Sequence, residues 1–318
     1  MRRMLLLAAV LATGLVAAEV IPAGADPNCQ HSQSWQCETR TSTSVTGTTA
    51  TTPSAGATCG ALAASAPPAS YAHVVWIWME NKPYTDIIGS SAAPYENALA
   101  DACGLASNYY AVTHPSLPNY IAATSGSTQG ITDDAGPSAH PLAAASIFGQ
   151  TDSASYEESM PVNCDPVDAY PYAVKHNPEA YYVPLQALCQ SSDVPLTQFD
   201  PNNLPAFSFI TPNLCNDTHD CSVATGDAWL QNFIPRIIAS ADYQEGRTVL
   251  LLTWDEDDGT LSNHVPLIVV SAYTQAGTLA SEPFDHFSLL RTTEELLGLS
   301  SYLGQAADAA SMRSAFHL

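Results

Sequence analysis

The sequence predicts an α/β domain built on a mostly parallel central sheet with helices on both faces. Three observations carry that expectation. Apolar runs at 73–82, 206–213, 248–258 and 265–273 stop abruptly in polar residues, as buried central strands do. Helical spacing fills stretches between them, and strands alternating with helical patterns imply parallel strands with helices packed over them. The 318 residues, 46% of them hydrophobic, are enough to bury one large core.

The elements follow in chain order. Arg2 and Arg3 precede an apolar run from Met4 to Val16, and Ala23-Gly24-Ala25 offers a small-x-small cleavage site. Residues 1–25 read as a signal peptide, the run being too short for a comfortable membrane span. The rest is expected to be secreted without a stable membrane anchor, since no later segment reaches about 18 uninterrupted apolar residues. Residues 26–70 read as a cysteine-containing arm that includes, at 39–58, a Ser/Thr-rich stretch with almost no apolar bulk, too polar to pack a core of its own. The catalytic domain is expected over 71–318. Its first strand is HVVWIWM, followed by a helix over 93–103 that stops at Gly104. THPSLPNYIAATSG (113–126) predicts a helix beginning near Ser116, with Pro118 in its first turn and Gly126 as its stop. Residues 131–200 are Pro-rich and show no regular pattern. A strand at 206–213 precedes a helix at 227–242, whose Leu230, Phe233, Ile234, Ile237 and Ile238 share one face. Strands at 248–258 and 265–273 follow, and Asp285 can cap a last helix through FSLLRTTEELLGL.

Charge and cysteine content narrow the partners. Nine Lys and Arg stand against 31 Asp and Glu, for a net charge of −22. Such a molecule repels nucleic acid at long range, so any phosphate it grips is held by local cations. The eight cysteines are an even number in an exported chain, which favours disulfides, and no C-x2-C pair supports zinc. Proximity pairs Cys215 with Cys221 and Cys164 with Cys189, leaving Cys29–Cys37 and Cys59–Cys103.

Three constellations carry chemistry. Two strands end in hard oxygen ligands, Glu80-Asn81 and Asp255-Glu256-Asp257-Asp258, at the carboxyl edge where α/β sheets place their sites. Two carboxylates about 4 Å apart repel by about 4 kcal/mol at an effective dielectric of about 20, so such a run needs solvent or a cation. Ser116, at a helix start, directs its hydroxyl to the positive end of the helix dipole, a setting that suits a phosphoryl group or, more simply, an N-cap. Histidines in polar, loop-like surroundings, His176, His219 and His286, are candidates for anion binding and proton transfer.

Taken in order, ENKPYTDIIGSSAAPYENALA, THPSLPNY, KHNP, ITPNLCNDTHDCS, GDAWL, TWDEDDG and FDHFSLLRTTEELLGL resemble the phosphoesterase family of bacterial secreted acid phosphatases and phospholipases C. The resemblance spans about residues 70–300 and is strongest to the short acid-phosphatase branch. It implies an alkaline-phosphatase-like fold. By motif it makes Ser116 the nucleophile and has Asn119 help hold the phosphate. Glu80, Asn81, Asp255 and Glu256 would bind one metal ion, a divalent one. His219 would face the phosphate, with His176 and His286 as further candidates. In the phospholipase branch the nucleophile position is typically Thr followed by LPNR; Ser followed by LPNY here weighs against lecithin cleavage.

The resulting expectation is a secreted acid phosphatase acting on a phosphorylated small molecule or a lipid head group, phosphoinositide phosphate included, through a phosphoserine. Histidines gain charge on the acid side of neutrality, which favours turnover at acidic pH. The rivals are a phospholipase C-type phosphodiesterase, a serine esterase, against which the absence of a G-x-S-x-G elbow counts, and a non-catalytic binding protein.

Overall fold

The computed structural model describes residues 59–318. The signal peptide over 1–25, the Cys29–Cys37 pairing and the Ser/Thr-rich stretch over 39–58 lie outside the described residues.

The strands are β1 (His73–Met79), β2 (Gly104–Ala106), β3 (Tyr109–Tyr110), β4 (Ser153–Glu157), β5 (Asp193–Pro195), β6 (Phe207–Thr211), β7 (Thr248–Trp254), β8 (Leu267–Ser271), β9 (Thr278–Ala280) and β10 (Phe284–Asp285). Eight form one sheet in the order β5-β4-β6-β1-β7-β8-β2-β9, while β10 pairs with β3. From β5 to β7 all neighbours are parallel; β8 runs antiparallel to β7 and β2, and β9 is parallel to β2. Central position explains sequence: β1 lies between β6 and β7, and Val74 to Met79 are wholly buried, so both faces of the strand are apolar.

Four longer helices cover the sheet: α1 (Pro94–Ala102), α2 (Ser116–Ser125), α3 (Val223–Ile238) and α4 (His286–Leu296). Successive strand side chains point to opposite faces, and β1 shows where each helix lies. Trp76 Nε1 donates to Thr293 Oγ1 of α4 at 2.9 Å, and the Trp78 ring lies 4.8 Å from Tyr120 of α2 and from His286. Met79 points the other way, against Gly226 of α3, where a Cβ would collide with its methyl group. On that side Asp227 Oδ1 accepts from Tyr95 N and Glu96 N at 2.8 and 2.9 Å, satisfying first-turn donors of α1. Asp285 caps α4 as expected, its carboxylate accepting from Ser288 N at 2.8 Å.

The pattern-free stretch 131–200 holds β4 and β5, which extend the sheet on one side. Their buried residues include Ser153, Ser155, Glu157 and Asp193, so these strands have no apolar run to betray them. Residues 59–70, read from sequence as part of the arm, are bonded to the domain: Leu62 N donates to Ala272 O at 2.8 Å, and Cys59 is joined to Cys103. Cys164–Cys189 and Cys215–Cys221 also form. No helix among the described residues is long and apolar enough to cross a membrane.

Candidate active site

Strand register assembles the oxygen ligands. Met79 and Trp254 are partners in the parallel β1–β7 pair, so the residues that follow them, Glu80-Asn81 and Asp255-Glu256, emerge side by side. Asp255 N donates to Met79 O and Asn81 N to Asp255 Oδ1, each at 3.0 Å, which locks the two strand ends together. Ser116 is the first residue of α2, behind Pro115. Its Oγ lies 3.2 Å from Glu80 Oε2 and 3.5 Å from both Asn81 Oδ1 and Glu256 Oε1. The hydroxyl therefore faces ligands rather than capping its own helix.

Glu80, Asp255, Glu256 and Ser116 are buried. Burial, with Glu80 and Glu256 beside it, drives the Asp255 carboxyl well above its ordinary range. Burial and the charge of Glu80 push Glu256 up to about 8. Burial opposes the charge on Glu80 as well, but His176, Lys175 and the Tyr120 hydroxyl outweigh it and hold its pKa down to about 2. The Asn81 terminal atom facing these groups lies 3.0 Å from Glu80 Oε2 and 3.0 and 3.3 Å from the two Asp255 oxygens. As a nitrogen it donates to them; as an oxygen it completes a donor set for a cation they share. Three carboxylates and an amide with crowded hard oxygens fit a divalent ion such as Mg²⁺, Ca²⁺ or Mn²⁺. The rest of the acidic run is structural: Asp257 accepts from Gly259 N, Leu261 N and Asn263 N at 2.7, 2.8 and 2.9 Å.

Lys175, His176 and His219 gather beside Glu80. His176 is buried between two carboxylates, Nε2 at 3.2 Å from Glu80 Oε2 and Nδ1 at 3.3 Å from Asp217 Oδ2. Burial disfavours its charge, yet Glu80 and Asp217 prevail and raise it to about 9. Lys175 Nζ donates to Asp134 Oδ2 at 3.2 Å and to His219 Nε2 at 3.3 Å, while His219 Nδ1 meets Asp220 Oδ1 at 2.7 Å. Glu80, His176 and His219 each offer a ligand atom within 4.8 Å of the others. Crowded carboxylate and amide oxygens suit a hard divalent ion better than a set with two imidazoles, so chemistry favours the oxygen set.

The remaining candidates are placed otherwise. Asn119 braces the loop before Ser116: Oδ1 accepts from Val112 N and Thr113 N at 3.0 Å, and Nδ2 donates to Thr113 O and Pro115 O at 2.8 and 3.2 Å. Its one link to the oxygen cluster is a 3.4 Å contact from Nδ2 to Glu256. His286 is not brought to the cleft. It lies wholly buried beneath it, Nε2 donating to Asp255 O at 2.7 Å and Nδ1 meeting Tyr109 Oη at 2.8 Å, and burial lowers its pKa to about 4.

Several site residues escaped sequence reading. Tyr120 donates its hydroxyl to Glu80 Oε1 and stacks on His176. His114, 44% exposed at the rim, places Nδ1 2.8 Å from Glu256 Oε2 and Nε2 3.3 Å from Asp257 Oδ1. Asp134 accepts from both Leu117 N and Lys175, tying the start of α2 to that cationic group. His114, two residues before Ser116 in the same motif, was the one with a readable signal.

Residues 89–300 match the sequence profile of the Phosphoesterase family; Glu80 and Asn81 precede that range. A phosphatidylinositol-3-phosphatase of Mycobacterium tuberculosis is 37% identical over 248 residues, covering 75% of this chain and 80% of that protein. An acid phosphatase of Aspergillus fumigatus is 31% identical, covering 71% of this chain and 54% of its own length. A phosphate-repressible acid phosphatase of Penicillium chrysogenum is 29% identical, with 71% and 58% covered. The chain thus spans little more than half the length of these fungal relatives. Among solved structures, the Silicibacter pomeroyi phosphonate monoester hydrolase superposes with a TM-score of 0.53 at 14% identity, covering 77% of this chain and 76% of that one. A Vibrio parahaemolyticus protein of the alkaline phosphatase superfamily gives 0.51 at 11% identity, with 78% and 72% covered. At such identities the likeness is one of fold.

Proposed function

The chain belongs to the phosphoesterase family, and from that premise we propose that it is a phosphate monoester hydrolase, an acid phosphatase acting through a phosphoserine at Ser116. The carrying observation is the convergence of Ser116 Oγ, at the start of α2, with oxygens of Glu80, Asn81 and Glu256 at 3.2–3.5 Å. Glu80, Asn81, Asp255 and Glu256 would hold the divalent ion, whose positive charge when bound favours the serine alkoxide and offsets phosphate charge.

The chain's own groups do the rest. Ser116 Oγ gives up its proton and attacks phosphorus as the bond to the ester oxygen breaks; the leaving oxygen takes up a proton and departs as the alcohol, and water then attacks the phosphoserine, returning a proton to Oγ and releasing phosphate. The α2 N-terminus turns its positive end toward the phosphoryl group. Lys175 and His219, grouped beside Glu80, would meet the phosphate oxygens. His176, pinned by Glu80 and Asp217, keeps a fixed positive charge beside them. Asn119 holds the backbone before the nucleophile, and His286 holds Asp255 from below. These are contributions of positioning and electrostatics, which dominate phosphoryl transfer.

The substrate class extends to a lipid head-group phosphate, supported by the match over most of the length of the mycobacterial phosphatidylinositol-3-phosphatase. Three disulfides among the described residues support action in an oxidising compartment outside the cell. Turnover of an aryl phosphate, a phosphorylcholine ester and a phosphoinositide, measured in parallel, tests the reading. Ser116→Ala should abolish turnover while leaving the fold intact, because Oγ makes no bond that caps its helix, and acid quench of the wild type should trap phosphate on Ser116. Phosphate on another residue would refute the assignment. Chelation should remove activity and a divalent ion should restore it; full activity after metal stripping would contradict the oxygen site.

A further inference from the structure

Three of the large apolar side chains left exposed among the described residues, Val162, Val167 and Tyr170, fall in one short segment at 59, 61 and 76% exposure. The Cys164–Cys189 disulfide staples that segment to the domain. At its far end Ala169 and Tyr172 exchange backbone hydrogen bonds of 3.1 and 3.0 Å, so Tyr170 and Pro171 form the tip of a tight turn.

The turn is tied to the rim of the active site. Leu214 N donates to Pro171 O at 3.0 Å, at the head of the loop that carries His219. Val174 N donates to Asp168 Oδ1 at 2.8 Å, one residue before Lys175. The five-residue step from Tyr170 to Lys175 cannot exceed about 18 Å. The segment Pro161–Pro171 has two charged residues, Asp165 and Asp168; Asp165 is buried and accepts from Val167 N at 3.2 Å, and the Asp168 carboxylate is already engaged by Val174 N. A tyrosine and valines presented on a braced turn suit the boundary between head groups and acyl chains, where a phenol keeps its ring apolar and its hydroxyl wet.

We propose that the segment Pro161–Pro171 docks on a lipid bilayer and brings a head-group phosphate over Ser116. This rests on reading the site as a phosphatase that accepts lipid head groups. Charge selects the bilayer: a net −22 is repelled by an anionic surface, so a zwitterionic one carrying its phosphorylated lipid as a minor component is favoured.

Sedimentation with pure phosphatidylcholine vesicles, which hold no substrate, tests docking alone; turnover of a soluble aryl phosphate tests the chemistry alone. The double variant Val167→Ser, Tyr170→Ser should partition to vesicles about tenfold less well than wild type, with aryl phosphate turnover within about twofold of wild type. Val167→Leu with Tyr170→Trp should partition more strongly. Wild type that binds no better than the serine variant, or that prefers anionic vesicles, overturns the docking surface whatever the turnover. A patch made for a protein partner would show as no vesicle binding, which overturns it equally. Failure of wild type to hydrolyse aryl phosphate strikes the catalytic reading instead and leaves the vesicle result to stand.

Discussion

Tyr120 donates to one oxygen of Glu80 while His176 approaches the other at 3.2 Å, so the carboxylate is held at both ends before any ligand arrives. Glu80 is a ligand in the metal site proposed above, and groups that orient such a ligand commonly contribute 10–100-fold in affinity or activity. Tyr120→Phe keeps the ring that stacks on His176 and packs at a tilt against Trp78 and removes only the donor. It should weaken divalent-ion binding about tenfold in a calorimetric titration of metal-stripped protein. Unchanged affinity would mean that His176 alone positions Glu80. The same contact gives the departure from LPNR a structural sense: the position after Asn119 is a partner of Glu80, and a tyrosine fills it with a neutral donor.

At the scale of the element, α2 depends on how it ends as much as on how it begins. Gly126 terminates it with φ 74°, and its N–H donates to Ala122 O. A Cβ there would be strained by that φ and would collide with the Leu303 carbonyl, in a place where Gln305 N also donates to Gly126 O at 2.8 Å. The left-handed conformation alone costs a non-glycine residue about 1–2 kcal/mol, and backbone offers the clash no flexible exit. Gly126→Ala should destabilise the protein by at least about 2 kcal/mol in denaturant unfolding, with loss of activity following loss of fold; an effect below about 0.5 kcal/mol would show that the 303–305 backbone yields. The stop was legible because glycine after a helical run is a local signal. Its tight fit against residues 303–304 was not, since that neighbour is far along the chain.

The whole molecule carries its excess acid partly inside. Glu96 is buried beside Asp227, and burial with that neighbour lifts its pKa from 4.5 to about 9; burial lifts Glu179 from 4.5 to about 7. The folded forms keep protons that the unfolded chain has lost. Stability from these groups is therefore fully present below about pH 4.5 and declines as pH rises toward the folded values, with a slope of up to about 1.4 kcal/mol per pH unit for each group. The thermal midpoint should fall between pH 5 and pH 8, a range set by those two pKa values, and Glu96→Gln should flatten the fall while changing little at pH 4. A midpoint that rises across that interval in wild type would contradict neutral, buried carboxyls. Such a balance suits an enzyme expected to work in acid.

What the sequence determined by itself was what local pattern can encode. Apolar runs stopping at Glu80 and at Asp255 marked central strands and put oxygen-bearing side chains at their carboxyl ends; Pro118 and Gly126 bounded the helix that begins at Ser116; short spacing paired Cys215 with Cys221. Tertiary structure alone decided which of these meet. The β1–β7 register set Glu80-Asn81 beside Asp255-Glu256, and only that juxtaposition distinguishes the two residues of the acidic run that meet Glu80 and Asn81 from Asp257, which closes a turn. It turned Asn119 into a brace and sent His286 beneath the site, because a histidine's role depends on which groups its nitrogens reach. It found β4 and β5 in a stretch with no apolar period, because strands that bury serine and carboxyl groups owe their place to partners rather than to their own hydrophobicity. Contacts between residues a hundred positions apart are properties of the packed chain, and no window of sequence contains them.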